Sequence, residues 1–186
     1  MNEIKFPTCV IDNFFKNPDE IAEYANTLTY SKAPEGEFWP GVRSQRLHEI
    51  NSNLFNFIIH KVLNIFYEPE LEDFKWKETY VAFHKIKSSI NLTNIHKDNV
   101  ALMAGVIYLN KNGSIDNGTT IYNEKKEKKL ILSNTYNTMI CYDANQLHGS
   151  TNTLMDNKEE RLTIVFFIKN LTANSLPLDR NKKFNL

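Results

Sequence analysis

From about residue 77 onward, the sequence is a series of short apolar runs separated by turn residues. Each run is rich in β-branched and aromatic residues, and Asn, Gly, Asp and Lys separate one run from the next. The second half of the chain therefore predicts a strand-rich barrel or sandwich. The predicted strands are TYVAFHKI (79–86), ALMAGVIYLN (101–110), GTTIYN (118–123), KKLILS (128–133), TMICYD (138–143) and RLTIVFFIKN (161–170).

The first third of the chain has helical rather than strand-like spacing. In NPDEIAEYANTL (17–28), Asn17 can cap a helix, Pro18 suits its first position, and apolar residues recur every three or four positions. NSNLFNFIIHKVLNIFY (51–67) has the same kind of apolar stripe. These segments predict helices that pack against the outside of the sheet, in an α+β chain that is mainly β.

The sequence shows neither an internal repeat nor a linker, so we expect one domain over residues 1–186. Within it we expect a helical N-terminal part (1–76), a strand core (77–170) and a C-terminal tail (171–186). Of the residues, 41% are hydrophobic and 12% aromatic, which is enough for one sizeable core.

Charge and cysteine usage restrict the partners and the compartment. Lys plus Arg and Asp plus Glu each number 22, so no basic field is available for nucleic acid or an anionic membrane. A small molecule or a peptide is the expected partner, and no feature indicates an oligomeric state. Cys9 and Cys141 lack metal-binding spacing, the start MNEIKFPT lacks a signal-peptide core, and no apolar run reaches bilayer length. We therefore expect a cytoplasmic protein.

The stretch TNIHKDN (93–99) places His96 and Asp98 two residues apart. In a strand, such positions lie on one face about 7 Å apart. His148 follows the predicted strand TMICYD, so the chain can return beside this pair. Two imidazoles and one carboxylate, with other coordination positions open, suit non-haem Fe(II). The alternative is that Asp98 is a turn residue and His148 a loop histidine.

Arg161 opens an otherwise apolar strand, thirteen positions after His148. A buried guanidinium without an anionic partner is costly. The carboxylate of a co-substrate would provide that partner.

Taken in order, these features resemble a known family. His96-x-Asp98, YLN (108–110), the Asn-Gly-Thr turn (117–119), His148 and Arg161 are similar to the motifs of the 2-oxoglutarate and Fe(II)-dependent oxygenases, especially the prolyl-hydroxylase-like branch. The opening CVIDNFFKNPDEIAEYA (9–25) resembles the start of small bacterial and phage members. The resemblance implies a double-stranded β-helix, the jelly-roll or cupin-like barrel, over residues 77–170, with the N-terminal helices packed outside.

The resemblance also implies roles for single residues. His96, Asp98 and His148 would ligate Fe(II), and Arg161 would hold the distal carboxylate of 2-oxoglutarate. Tyr108 matches a family position whose hydroxyl often supports that carboxylate, with a core aromatic as its alternative role. Thr163 shares the strand face of Arg161 and can add a hydroxyl.

The implied activity is that of a dioxygenase, with Fe(II), 2-oxoglutarate and O2 as cofactor and co-substrates and ascorbate as an optional stimulant. It would hydroxylate an unidentified substrate and release succinate and CO2. Two alternatives stay open. A cupin-like metal enzyme without 2-oxoglutarate would leave Arg161 unexplained, and a non-catalytic binding module would need no intact ligand set.

The loop FWPGVRSQR (38–46) permits two interpretations. Its Trp39, Arg43 and Arg46 can contact substrate as part of a lid, because binding residues concentrate on positioned loops. Alternatively, the loop packs Trp39 on the barrel rim, which we favour because aromatic side chains commonly anchor loops by burial. His84 lies in a predicted strand without an acidic residue at ligand spacing, and we expect it to be structural.

Overall fold

A computed structural model of the chain describes residues 4–37, 39–68, 74–87, 95–151 and 160–178. The helices in this part are α1 (Pro18–Thr27), α2 (Leu47–Ile50) and α3 (Ser52–Leu63), and none of them is long and apolar enough to cross a membrane. The strands are β1 (Cys9–Ile11), β2 (Tyr30–Ser31), β3 (Val42–Ser44), β4 (Phe74–Lys87), β5 (Met103–Tyr108), β6 (Thr119–Tyr122), β7 (Lys128–Leu132), β8 (Met139–Asp143), β9 (Leu147–Ser150) and β10 (Glu160–Ala173).

The strands form two antiparallel sheets. The large sheet has the order β1-β8-β5-β10-β4-β3-β2, and the small sheet has the order β7-β6-β9. After β4, the chain reaches the small sheet at His96, which forms an isolated bridge with His148 of β9. It then passes repeatedly between the two sheets as far as β10. This is the connectivity of a jelly roll.

The large sheet is apolar on both faces. Along β10, the apolar residues at even positions from Leu162 to Ile168 join the core cluster that contains the buried face of α3. Val165 and Phe167, at odd positions, pack in a second cluster that includes side chains of β6 and β7. Because side chains alternate along a strand, Arg161 and Thr163 share the face of Val165, toward the small sheet.

The two predicted helices form where the apolar stripes indicated, and both contribute to the core outside the barrel. Asn51 caps α3, since its side-chain oxygen accepts a hydrogen bond from the Leu54 N–H at 3.0 Å. The expected capping bond from Asn17 to α1 is absent, and the Asn17 side-chain amide nitrogen donates to Glu20 at 3.0 Å. The predicted helix over 51–67 ends at Leu63.

Residues 1–76, predicted to be helical, also contain β1, β2 and β3. These strands have only two or three residues each, too few for alternation to be visible in the sequence. They form because β8 and β4 offer free edges, with β1 pairing to β8 and β3 to β4. The strands β4 and β10 also run beyond the predicted core limits of 77 and 170, and the single domain stays a prediction.

The loop before β8 anchors the segment that precedes α1. The side-chain oxygen of Asn137 accepts a hydrogen bond from the Phe15 N–H at 2.8 Å, and its amide donates to the Phe15 carbonyl at 2.9 Å. Asn137 has a φ of 59°, in the left-handed region that Asn tolerates better than most residues.

We expect Asn137→Ala to lower the free energy of unfolding by about 1–3 kcal/mol, because the buried N–H and C=O of Phe15 lose their partners. Urea denaturation measures the change. Asn112→Ala, on an exposed loop, is the matched control and should stay within about 0.5 kcal/mol of the parent. A parent-like unfolding midpoint for Asn137→Ala would contradict this role.

Candidate metal centre and active-site cavity

The structure brings the three predicted ligands together beside β9. The backbones of His96 and His148 exchange hydrogen bonds of 3.0 and 2.9 Å, and the Asp98 N–H donates to the Ala144 carbonyl at 2.9 Å. The Asp98 carboxylate then lies 3.2 Å from Nε2 of His148 and 3.6 Å from Nε2 of His96. One ligand atom from each residue lies within 4.8 Å of the others. The backbone pairing therefore positions the side-chain cluster.

A contact behind the cluster orients His148. Its Nδ1–H donates to the Gln146 carbonyl at 2.9 Å, so Nε2 is left to face Asp98. The ring also lies 4.6 Å from the Tyr142 ring, between centroids. The His148 side chain is 5% exposed, whereas that of His96 is 44% exposed. The cluster is therefore buried and held in orientation on the His148 side and accessible on the His96 side.

These donors fit an Fe(II) site with open coordination positions. Two imidazole nitrogens and one carboxylate on one face of a metal are the donor set of the non-haem Fe(II) oxygenases. Within the described ranges, no second group of three His, Cys, Asp or Glu side chains comes this close together. The cluster is therefore the candidate metal centre.

Arg161 is 7% exposed and has no carboxylate partner among the described residues. One of its terminal nitrogens donates to the Ser150 hydroxyl at 3.2 Å, while its Nε is buried without a hydrogen-bond partner in the described part of the chain. Its guanidinium lies 5.3 Å from the Tyr108 ring centroid. The need for an anionic partner is therefore not met inside the described structure.

The metal cluster and Arg161 line one cavity of about 260 Å³. Both sheets contribute to its wall, with Thr119 from β6 and Ser150 from β9 on the polar side. The apolar side includes Ala104, Val106, Val165 and Phe167. A ligand can therefore contact the metal site and the guanidinium at the same time.

Tyr108 and Thr163 lie behind the wall of this cavity. The Tyr108 hydroxyl shares a 2.9 Å hydrogen bond with Thr119, and burial raises its pKa, so the phenol stays protonated. The Thr163 hydroxyl donates to the His84 carbonyl at 3.4 Å. Among the described residues, Thr119 rather than these two lines the cavity. Direct contact of Tyr108 or Thr163 with a co-substrate stays a prediction.

Three residues of the 38–46 loop, Trp39, Pro40 and Arg43, line the cavity, so the loop does more than cover the rim. Trp39 and Arg43 belong to the wall, whereas Arg46 lines a separate surface groove. Gly41 makes this path possible, since it has a φ of 75° and a Cβ there would lie 2.1 Å from the Lys85 carbonyl. In the sequence, the Pro-Gly turn next to Trp39 was the feature that marked this loop as a candidate contact for substrate.

His84 also lines the cavity but has a structural partner. Its Nε2–H donates to the Pro40 carbonyl at 2.5 Å. Burial lowers the pKa of His84 to about 3, and the charges of Arg43 and Arg161 add to this effect. His84 is therefore neutral near neutral pH.

This lowered pKa predicts a pH dependence of stability. Between about pH 6.5 and pH 3 the unfolded His84 binds a proton that the folded residue does not, so stability is lost as the pH falls. From about pH 7 to about pH 5 we expect a loss of about 2 kcal/mol from this residue.

Urea denaturation at both pH values measures the free energy of unfolding of the parent and of His84→Gln. The loss between the two pH values should be smaller in His84→Gln than in the parent. The exposed Asn112 provides a control that cannot titrate, and Asn112→Ala should keep the parent's pH dependence. An unchanged pH dependence in His84→Gln would contradict the assigned protonation state.

Solved structures with the same architecture include proteins named as a prolyl hydroxylase or as 2-oxoglutarate-dependent enzymes. A prolyl-4-hydroxylase from Pseudomonas putida has a TM-score of 0.61 at 10% identity, covering 88% of this chain and 92% of its own. The α-ketoglutarate-dependent epimerase SnoN from nogalamycin biosynthesis has a TM-score of 0.64 at 11% identity, covering 98% and 85%. A 2OG-Fe(II) oxygenase family protein from Burkholderia pseudomallei has a TM-score of 0.60 at 13% identity, covering 91% and 86%. The predicted double-stranded β-helix is confirmed.

Comparison of the sequence, in contrast to comparison of the structure, matches a family without a known function. The model of a family of unknown function, DUF6445, matches residues 1–135. No curated protein matches the chain. The matched range contains His96 and Asp98 but ends before His148 and Arg161.

Proposed function

The chain belongs to DUF6445, a family of unknown function, and we propose that it is an Fe(II)- and 2-oxoglutarate-dependent dioxygenase that hydroxylates a small molecule or a peptide. The observation that carries this proposal is the shared cavity, in which the His-Asp-His cluster and the guanidinium of Arg161 face the same space. The fold of the solved 2-oxoglutarate-dependent enzymes supports it.

Each residue has a separate task in this mechanism. His96, Asp98 and His148 would hold the metal, with His148 fixed in orientation by the Gln146 carbonyl. When bound, Fe(II) with 2-oxoglutarate and O2 supplies the oxidation that inserts one oxygen atom into a substrate C–H bond and leaves succinate and CO2.

Arg161 would bind the distal carboxylate of 2-oxoglutarate through two parallel hydrogen bonds, one of them from the buried Nε. Ser150 holds the guanidinium in place, and Tyr108 lies against it. We propose that Tyr108 acts through Thr119 and that Thr163 supports the wall beside it, since neither lines the cavity. The apolar wall of β5 and β10 limits the access of water.

Further features of the proposal come from the resemblance and from composition. We place the chain in the prolyl-hydroxylase-like branch, of the small bacterial or phage type, in the cytoplasm. Equal numbers of acidic and basic residues favour a small molecule or peptide over nucleic acid or a membrane as partner. Ascorbate is the proposed stimulant of turnover.

Since one similar structure is an epimerase, product analysis must test for inversion as well as oxygen insertion.

The test is an anaerobic titration of the protein with Fe(II) and then 2-oxoglutarate. We expect a weak visible charge-transfer band only when both are present. Addition of O2 and ascorbate should then produce succinate slowly without a substrate, above the level of a metal-only control.

Iron binding without the band would favour a cupin-like enzyme that does not use 2-oxoglutarate. A folded protein that binds neither ligand would favour a binding module.

A further inference from the structure

A second cationic side chain, Arg43, lines the same cavity as Arg161. Arg43 pairs across β3 and β4 with His84, and His84 pairs across β4 and β10 with Thr163. Residues in register on neighbouring strands share a face, so Arg43, Thr163 and Arg161 lie on one face of the sheet. Two strand spacings separate Arg43 from β10, about 10 Å. The cavity therefore has two separate guanidinium groups on its wall.

Arg43 lies among aromatic rings rather than carboxylates. Its guanidinium carbon is 4.4 Å from the ring centroid of Trp39, 5.4 Å from that of Tyr80 and 5.7 Å from that of Phe167. Burial lowers its pKa, an effect that Tyr80 and the carboxylates of Asp98 and Glu37 partly oppose. The charge of Arg43 is therefore only partly compensated.

Two buried N–H groups on this wall lack acceptors within the described part of the chain. Nε of Arg43 and Nε1 of Trp39 have no hydrogen-bond partner among the described residues. A buried donor without an acceptor destabilises the protein, because it has lost its hydrogen bonds to water. Because both side chains line the cavity, a bound ligand with acceptor oxygens can satisfy both donors.

The charges in the cavity indicate what this ligand carries. Fe(II) brings two positive charges, Arg161 and Arg43 bring one each, Asp98 brings one negative charge, and His84 is neutral. Glu37 is exposed and is not part of the cavity wall. The two carboxylates of 2-oxoglutarate leave one positive charge. A single carboxylate neutralises it, whereas a phosphate monoester carries about 1.5 to 2 negative charges and would reverse the sign.

We propose that the substrate is a small carboxylic acid, and that the guanidinium of Arg43 and the indole N–H of Trp39 bind its carboxylate. This inference rests on the proposed function, because the charge count includes Fe(II) and 2-oxoglutarate. The cavity of about 260 Å³ accommodates small molecules, and its apolar side contacts the carbon skeleton beside the metal centre. Arg43 thus selects the substrate, while Arg161 binds the co-substrate.

The test is equilibrium dialysis of the parent, Arg43→Gln and Arg46→Gln proteins, loaded anaerobically with Fe(II) and 2-oxoglutarate. The probe is a defined library of small carboxylic acids, the primary amide of each acid, phosphate monoesters and amines. Arg46 is the matched control because it lies 5.5 Å from the same Tyr80 ring but lines the separate surface groove.

We expect the parent to retain one or more acids and not their amides. Arg43→Gln should lose at least about thirtyfold in affinity for those acids, as when one member of a buried charge pair is removed. Arg46→Gln should bind them as the parent does, and all three proteins should bind 2-oxoglutarate equally and melt at similar temperatures.

Several results would overturn the inference while leaving the proposed function intact. They are retention of amides, amines or phosphate esters in preference to acids, retention of no acid at all, and equal binding of acids by Arg43→Gln. Loss of 2-oxoglutarate from Arg43→Gln would make Arg43 the co-substrate clamp and also overturn it. A parent that binds Fe(II) but no 2-oxoglutarate would instead refute the proposed function.

Discussion

Replacing His96 or His148 by Ala is expected to lower the Fe(II) affinity by more than about a hundredfold, since loss of even an outer contact to a ligand costs about 10- to 100-fold. The fold should survive, because ligands at a cavity mouth contribute little packing. His96 is 44% exposed, so His96→Ala should be the milder change for stability. His148→Ala also removes the contact with Tyr142 and should melt at a lower temperature.

Anaerobic dialysis against Fe(II), followed by metal analysis, measures the loss, and circular dichroism verifies the fold. His60→Ala is the matched control, since His60 is an exposed histidine of α3. It should bind Fe(II) as the parent does. Parent-like iron binding by both His96→Ala and His148→Ala would show that the proposed ligand set is wrong.

Replacing Arg161 by Ala is expected to leave Fe(II) binding near normal but to weaken 2-oxoglutarate binding by about 2 to 5 kcal/mol, the usual loss when one member of a desolvated charge pair is removed. Arg161→Lys should recover only part of this loss, because an ammonium keeps the charge without the paired donors. Isothermal titration of the anaerobic Fe(II)-loaded protein measures both variants.

A structural role is the rival explanation for Arg161, because its side chain also contacts Ser150 and Tyr108. The melting temperature separates the two roles. An Ala variant that binds 2-oxoglutarate normally but melts far lower would make Arg161 a structural residue. Arg46→Ala, outside the cavity, provides the control for the loss of a positive charge.

Local patterns in the sequence were sufficient for the long elements. The runs over 101–110, 138–143 and 161–170 contain β5, β8 and most of β10, and the side chains in their apolar stretches are mostly buried on both faces of the large sheet. Each run has a continuous apolar stretch, so the pattern is visible without knowledge of the partner strands.

The same patterns did not predict the segments whose structure depends on pairing with strands that are distant in the sequence. Among the described residues, His96 forms an isolated bridge with His148, and β1, β2 and β3 are too short to show alternation. Such segments are held by the edges they pair with, and the identity of those edges depends on distant residues.

The candidate site was likewise predictable from the sequence only in part. The types and order of His96, Asp98, His148 and Arg161 are enough to indicate iron and a carboxylate, because few other combinations of side chains suit that chemistry. The sequence offered Arg43 as a substrate contact in a lid, beside the favoured interpretation of a rim loop, but it did not place Arg43 in the same cavity as Arg161. That placement depends on the register of β3 against β4.

By itself, the sequence determined the secondary structure of the long segments and the chemistry of the candidate ligands, because both depend on residues close together in the chain or on residue type alone. Only the tertiary structure decided which distant residues meet. Cys9 lies directly opposite Cys141, and Arg43 lies on the same sheet face as Arg161. The physical reason is that backbone pairing between strands joins any two edges with matching hydrogen-bond groups, and these groups are the same in almost every residue.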